Sequence, residues 1–402
     1  MTAPTYDVAV IGGGLIGCAS AWYLARAGAR VVLLEAGQLN AGASGRNAGS
    51  LHFQIEHRHL VHGEQLDGNL EYLVRLSHFA IEQWRELGGL LEQDLEIVMD
   101  GGLMVAETLE EVEVLRHKAK VERLHGLATE LLGGDEVRRL APYISKRVLA
   151  AAFCAQEGHC NPRLVTAAFA RRGAEAGAVL LTDARVDGVA FKRGEWQVTW
   201  SSRQGSGREQ IRAAAVLNAG GAWAGEIAQM AHFHLPVFPV GLLMNVTERI
   251  GASIGYLIQH VGRRLSLKQV RDGNILIGGG WPVCMRRRRM GLARQWQPGT
   301  PAPSTVIANL RTAAQLVPSI GDLHLLRTWS GVTAVTSDHL PVVGEIPGSH
   351  GLFVAGGGSG FTFGPTYARL ISQLILTGSS SISLAPFSPE RCETINMFMR
   401  TG

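Results

Sequence analysis

The sequence predicts an α/β fold in which a parallel βαβ sheet is interrupted along the chain by a second α+β domain built on a mixed sheet. Three observations carry that prediction. The opening segment compresses a strand, a glycine turn, a helix, a second strand and an acidic residue into positions 7–35. A further strand, glycine turn and helix begins near residue 352. Between the two, β-rich and helical stretches break the βαβ rhythm, so the chain leaves its first domain and returns to it.

In the opening unit Val8, Ala9, Val10 and Ile11 form an apolar run, and Gly12, Gly14 and Gly17 fit G-x-G-x-x-G. One glycine permits the tight turn, one lets the backbone approach a pyrophosphate, and one lets the helix pack on the strand. Leu15 and Ile16 open that helix, whose first N–H groups face the phosphates. The apolar run 31–34 ends in Glu35 and Ala36. A carboxylate at that strand tip accepts hydrogen bonds from a ribose and repels a 2′-phosphate, which points to an NAD-like or FAD-like ligand rather than NADP. A signal peptide or membrane anchor is the competing reading of the uncharged stretch 8–25. Asp7 stands where a leader carries Lys or Arg, and Gly12, Gly13, Gly14 and Gly17 suit no spanning helix.

Composition narrows the classes. With 402 residues and 46% hydrophobic content the chain can bury a large core, and 50 glycines suit many tight turns. A net charge of +4 is too small for a nucleic-acid footprint. Cys18, Cys154, Cys160, Cys284 and Cys392 are odd in number and contain no C-x-x-C, which indicates neither a disulfide framework nor a zinc or iron–sulfur site. A reducing cytoplasm is the simplest compartment.

The loop after Glu35 contains Ser44, Gly45, Arg46, Asn47, Ala48, Gly49 and Ser50, small residues past which backbone can run close to a ligand, with Arg46 able to fork onto a pyrophosphate. His52, His57, His59 and His62 follow at spacings that form no tidy metal set. Residues 70–92 read as an amphipathic helix with Leu70, Leu73, Val74, Phe79, Trp84 and Leu87 as core; 97–105 read as a strand pair around Gly101 and Gly102, and 109–125 as a charged helix. Asn161 caps and Pro162 opens the next helix, and a strand follows at 179–181. A meander at 189–200 turns on Arg193 and Gly194, and residues 214–223 are an apolar strand running into glycines. Segments 236–247 and 255–280 read as strands of the mixed sheet. Arg286, Arg287, Arg288 and Arg289 read most simply as a solvated loop, with docking of an acidic partner or a phosphate as the sharper alternative. Near the C-terminus residues 352–355 lead into Gly356, Gly357, Gly358, Ser359, Gly360, Phe361 and Thr362, and then into a helix.

With these pieces in order, the chain resembles the D-amino-acid oxidase superfamily of FAD enzymes, which includes glycine oxidase and the sarcosine oxidase β subunit. The matching stretches are 12–35, 44–49, 218–223, and the block from Trp329, Ser330 and Gly331 through 338–344 to 355–365. Within the superfamily, residues 46–52 and 356–360 look most like the β subunits of bacterial opine and hydroxyproline dehydrogenase complexes. The resemblance implies a discontinuous Rossmann-type FAD-binding domain (1–75, 146–230 and 325–385), a substrate domain (76–145 and 231–324) and a tail (386–402). It adds Val186, Ala219, Gly220, Trp223, Gly331, Gly357, Gly358, Ser359, Gly360, Phe361 and Thr362 to the cofactor set of the first unit and its loop.

Two departures shape the expected site. Val332, Thr333 and Ala334 stand where many such oxidases carry an Arg that clamps the substrate carboxylate, which leaves Lys268, Arg264 or Arg46 for that task. No cysteine lies between Trp329 and Gly344, so the FAD is expected to be non-covalent. The resemblance implies oxidation of a C–N bond, with hydride leaving the amine-bearing carbon for flavin N5 and the imine then hydrolysing. Lys268, His52 and Arg264 are the candidate catalytic residues. Lys268 is expected to share a strand face with Ser266 while Leu265 and Leu267 enter the core; a solvent-facing lysine is the plain alternative. Electrons pass to O₂ or to partner subunits bearing FMN or iron–sulfur centres, with a homo-oligomeric oxidase as the simpler arrangement; an NAD-linked dehydrogenase and a non-catalytic flavin-bearing subunit are the readings of other classes.

Overall fold

The computed structural model describes residues 3–56, 59, 70–202, 207–290 and 293–392, with residues 70, 287–290 and 293–296 described by their backbone alone. The first unit forms as its sequence dictates. Strand β1 (Thr5–Ile11), helix α1 (Leu15–Arg26) and strand β2 (Val31–Leu34) follow one another, and β1 and β2 run parallel with Val8 opposite Val31 and Ile11 opposite Leu34. All four residues of β2 are buried, as befits a parallel strand covered on both faces.

The Val179–Leu181 strand flanks β2, Arg208–Asn218 lies on the other side of β1, and Leu352–Gly357 lies beyond it, all parallel. Pro341–Glu345 pairs antiparallel at that edge. The strand order therefore reverses at β1, and the crevice outside the carboxyl ends of β1 and Arg208–Asn218 is where such sheets receive ligands. Helix α1 packs against Gly364–Thr377 and Pro162–Glu175, and Leu15, Trp22, Phe169 and Tyr367 share one core.

Among the described residues the second sheet has nine strands. It is mixed: Gly102–Ala106 runs parallel to Leu257–His260, while Ser266–Gln269 pairs antiparallel with both Leu257–His260 and Asn274–Gly278. Its core includes Leu103, Val105, Leu265, Leu267, Ile275 and Ile277.

Two strands and one helix lie elsewhere than the expected boundaries place them. Ala150–Cys154, placed by its sequence with the nucleotide-binding segments, pairs with Gly102–Ala106 and Thr129–Gly133 in the second sheet. Leu325–Thr336 likewise pairs along Val237–Arg249 rather than within the parallel sheet. Helix Leu70–Leu90, expected to open the second domain from residue 76, buries Leu73, Val74, Trp84 and Leu87 in the core shared with α1. Trp84 Nε1 donates to the Thr362 carbonyl at 2.6 Å, which anchors the helix to the second glycine turn. Two local expectations also change. Val98 bridges His159 instead of pairing with Gly102–Ala106, and residues 286–289 lie in the strand Met285–Met290, paired with Ala293–Pro298, rather than in a loop. The side chains of Arg287, Arg288 and Arg289, like His57, His62 and residues 393–402 of the tail, lie outside the described residues.

Candidate active site

The first glycine turn is shaped by backbone contact. Gly12 has φ of 115°, and a Cβ there would stand 2.5 Å from the Ala219 carbonyl oxygen; a Cβ on Gly17 would stand 1.9 Å from the carbonyl oxygen of Gly12. The turn is closed by side chains from two predicted segments. Glu35 accepts from Gly13 N–H and from Gly37 N–H, each at 2.7 Å, and Ser44 Oγ accepts from Leu15 N–H at 2.9 Å. Helix α1 has no side-chain cap from its own N-cap residue, Gly14; Ser44 takes the N–H of Leu15, and the helix start leaves further first-turn N–H groups without an intrahelical acceptor. Ile16 lies in that first turn, and Ala36 directly follows Glu35.

The second turn comes to meet the first. A Cβ on Gly364 would lie 3.0 Å from Leu15 Cδ2, and one on Gly360 would lie 3.9 Å from Ile16 Cδ1. Tyr367 Oη donates to the Gly358 carbonyl at 2.9 Å, Phe361 packs on Trp84, and Gly357 ends its strand. Ser359 Oγ donates to Glu56 at 2.5 Å. Thr362 Oγ1 donates to the Ser50 carbonyl and accepts from His52 N–H, both at 3.3 Å, and so ties this turn to the loop 44–52.

That loop is also fixed to the Leu325–Thr336 strand. Trp329 Nε1 donates to the Arg46 carbonyl at 2.8 Å, and Arg46 donates to the carbonyls of Ala41 (2.9 Å) and Ser330 (3.4 Å); Gly331 lies beside its Cβ. Asn47 donates to Ala43 and Ser44 and accepts from Gly49 N–H, while Gly45 and Ala48 complete the loop. Val186 is buried in the Ala184–Lys192 strand. Ala219 and Gly220 follow Arg208–Asn218, and Trp223 ends the short 3₁₀ turn beyond them.

The second sheet contributes a different chemistry. Lys268 is 1% exposed, and its Nζ has no hydrogen-bond partner among the described residues. Burial pushes its ammonium down to about 7, against a smaller opposing contribution from Cys160. Leu265 and Leu267 enter the core as the alternation requires, and a solvent-facing Lys268 is thereby ruled out. His52 Nε2 stands 3.4 Å from Ser266 Oγ. His159, paired in register with Ser50, is pushed down to about 3 by burial and then by the Lys268 charge. The structure thus gathers His52 and Lys268 with Ser266 and His159, two residues the sequence did not single out as site members. Alternation along Ser266, Leu267 and Lys268 was the signal for the first; nothing local marked the second. Arg264 does not join them: its side chain is exposed in a loop, and its carbonyl accepts from Trp281 Nε1 at 2.5 Å. Among the described residues no three His, Cys, Asp or Glu side chains gather as a metal site.

The residues present fit a dinucleotide. Ser50 Oγ and Trp223 Nε1, both in the cofactor set expected from sequence, are buried polar atoms with no hydrogen-bond partner among the described residues. Together with the helix start of α1 and the carboxylate of Glu35 after the second strand, they supply donors and an acceptor of the kinds that a pyrophosphate and a ribose require.

Residues 7–374 match the DAO family, described as FAD dependent oxidoreductase, and the chain belongs to that family; FAD is its cofactor. It is 29% identical to glycine oxidase of Geobacillus kaustophilus over 96% of this chain and 97% of the relative. The crystal structure of that oxidase superposes with a TM-score of 0.82, covering 96% of this chain and 98% of the other at 26% identity. The chain is also 26% identical to the β subunit of sarcosine oxidase from an Arthrobacter species, over 99% and 94% of the two chains. An opine oxidase subunit from Agrobacterium tumefaciens is 24% identical over 96% and 97%. Among the described residues no helix is long and apolar enough to cross a membrane.

Proposed function

We propose that this chain oxidises the C–N bond of an amino acid or an opine-like secondary amine to an imine, as the catalytic β-type subunit of a multi-subunit dehydrogenase. Bound FAD supplies the hydride acceptor. The chain's own residues hold the cofactor, bind the substrate carboxylate and keep water from the reacting carbon. Glu35, at the tip of β2, offers its remaining lone pairs to the ribose. The first turn of α1 takes the pyrophosphate, with Ser50 and Trp223 donating nearby. The absence of a cysteine between Trp329 and Gly344 supports a non-covalent cofactor.

The observation that carries the substrate class is Lys268. A buried amine without a partner is costly, and it suits a site completed by an incoming anion. A bound carboxylate restores the ammonium and accepts its hydrogen bonds. Arg46 is exposed and ties part of its guanidinium to the carbonyls of Ala41 and Ser330, and Arg264 is exposed in a loop, whereas Lys268 is buried, so we assign the clamp to Lys268. The substrate nitrogen must be neutral before hydride can leave its carbon, and His52, held beside Ser266, is the imidazole placed to take the proton. A comparison of sarcosine with N-methylethylamine tests this: the carboxylate-bearing amine should reduce the flavin, and equal reduction by both would refute the clamp.

Two relatives are by name subunits, which supports a partner to receive the electrons, and the strand Met285–Met290 with exposed Arg286 offers a docking element. The same arginines would suit the phosphate of an FMN held between chains. The second reading, a self-sufficient oxidase using O₂, is favoured by the likeness to glycine oxidase.

A further inference from the structure

Residues 52–55 have an unusual backbone. Their four consecutive N–H groups are taken by side chains and, among the described residues, by no strand. His52 N–H donates to Thr362 Oγ1 at 3.3 Å, Phe53 and Gln54 N–H donate to Glu157 Oε1 at 2.8 and 3.0 Å, and Ile55 N–H donates to Glu122 Oε1 at 2.6 Å.

Behind them runs a polarised chain of side-chain bonds. Lys118 Nζ donates to Glu122 Oε2 at 2.8 Å and to Gln54 Oε1 at 2.7 Å, and Gln54 Nε2 donates onward to Glu157 Oε2 at 2.8 Å. Gln54 Nε2 also reaches the Gly102 carbonyl, at the start of a strand in the second sheet, at 3.5 Å. Gln54, Lys118, Glu122 and Glu157 are all buried. Desolvating so many charges is expensive, and well-packed apolar residues commonly do as well for stability. What the polar network provides that an apolar core cannot is a fixed position for a segment with no ladder of its own.

We propose that Glu157 is a positioning residue: by holding the backbone of residues 53 and 54 it sets where the imidazole of His52 stands against Ser266. The role rests on the function proposed above, in which His52 takes the substrate proton. Glu157→Gln separates charge from shape. Its new NH₂ would face the Gln54 NH₂, so the Gln54 amide must turn, and its NH₂ then meets the Lys118 ammonium. The segment loses its register without losing any bulk, and a displacement of about 1 Å at a reacting group can cost roughly 100-fold in rate.

The test is a double-mutant cycle on the flavin-loaded protein, made from Glu157→Gln, His52→Ala and the pair. Anaerobic flavin reduction by sarcosine gives the rate, and titration with acetate, read from the visible flavin band, reports carboxylate binding at Lys268 without turnover. Glu157→Gln should reduce flavin at least tenfold more slowly with its acetate affinity unchanged, and the double variant should be no slower than His52→Ala alone. If Glu157→Gln fails to fold or to hold flavin, Glu157→Asp, which keeps the charge but withdraws it, is carried through the same cycle with the same expectation. Additive losses in the double variant, or a native rate in the Glu157 variant, overturn the inference while leaving the proposed function standing. A native rate in His52→Ala removes His52 from the chemistry, and the positioning role with it.

Discussion

His52 Nε2 lies 3.4 Å from Ser266 Oγ although 214 residues separate the two in the chain. His52 belongs to the loop that leaves the cofactor-binding turn, and Ser266 opens the strand of the second sheet that carries Lys268. In the proposed site both sheets contribute: the first, with its glycine turns, would hold the dinucleotide, and the second carries the buried amine of Lys268.

Lys268→Met should raise KM for a carboxylate-bearing amine by roughly 10- to 150-fold, the loss of a charge-assisted hydrogen bond on the order of 1.5–3 kcal/mol. It should also change stability in a defined direction. The folded-state value of Lys268, about 7, is depressed below its ordinary 10.5, so stability is fully present above 10.5 and is lost as pH falls toward 7. The Met variant escapes that loss. Thermal midpoints measured from pH 10 down to pH 6 should show its advantage growing to about pH 7 and levelling off below it, whereas a constant difference would argue against a buried, titrating amine.

Glu35→Ala should purify with less FAD. The ribose loses an acceptor, and Gly13 and Gly37 lose the carboxylate that holds their N–H groups at 2.7 Å. Because β2 itself remains buried on both faces, far-ultraviolet circular dichroism should be unchanged. Full flavin content in the purified variant would remove Glu35 from the cofactor site.

Gly17→Ala tests the turn itself. The added methyl would stand 1.9 Å from a backbone oxygen that cannot retreat without opening the turn. Flavin-loaded protein should be lost, and recovery of yellow protein in native yield would contradict the geometry.

The docking role proposed for residues 286–289 makes a kinetic prediction. The isolated chain should reduce its flavin with substrate yet reoxidise slowly in air, and serine at all four positions should weaken electron transfer to a partner subunit. Rapid peroxide-forming turnover, indifferent to those substitutions, would favour the self-sufficient oxidase.

The dinucleotide unit was legible because its signals are local: an apolar run, three spaced glycines and an acid at the next strand tip. The second turn was legible for the same reason. What the sequence could not display is pairing at a distance. A lysine in an alternating strand reads equally well as solvent-facing, and its burial near His159 and Cys160, more than a hundred residues away in the chain, is not written in the strand itself. Ala150–Cys154 is as apolar as a parallel strand, so its antiparallel place in the second sheet is invisible to periodicity. Four successive arginines suggest a loop by charge, while the strand opposite them, Ala293–Pro298, supplies the pairing that charge cannot reveal.

The central claim, that the chain takes hydride from an amine-bearing carbon of a carboxylate-containing substrate, is tested most directly by anaerobic titration of the purified flavoprotein. Glycine, sarcosine, proline, D-amino acids and N-carboxyalkyl amino acids would each be added while the visible flavin band is followed. The account predicts full bleaching by at least one of these amines, with one equivalent of substrate consumed per flavin and one equivalent of the corresponding carbonyl product after hydrolysis. A flavin that dithionite reduces but that every amine on the panel leaves oxidised would contradict it.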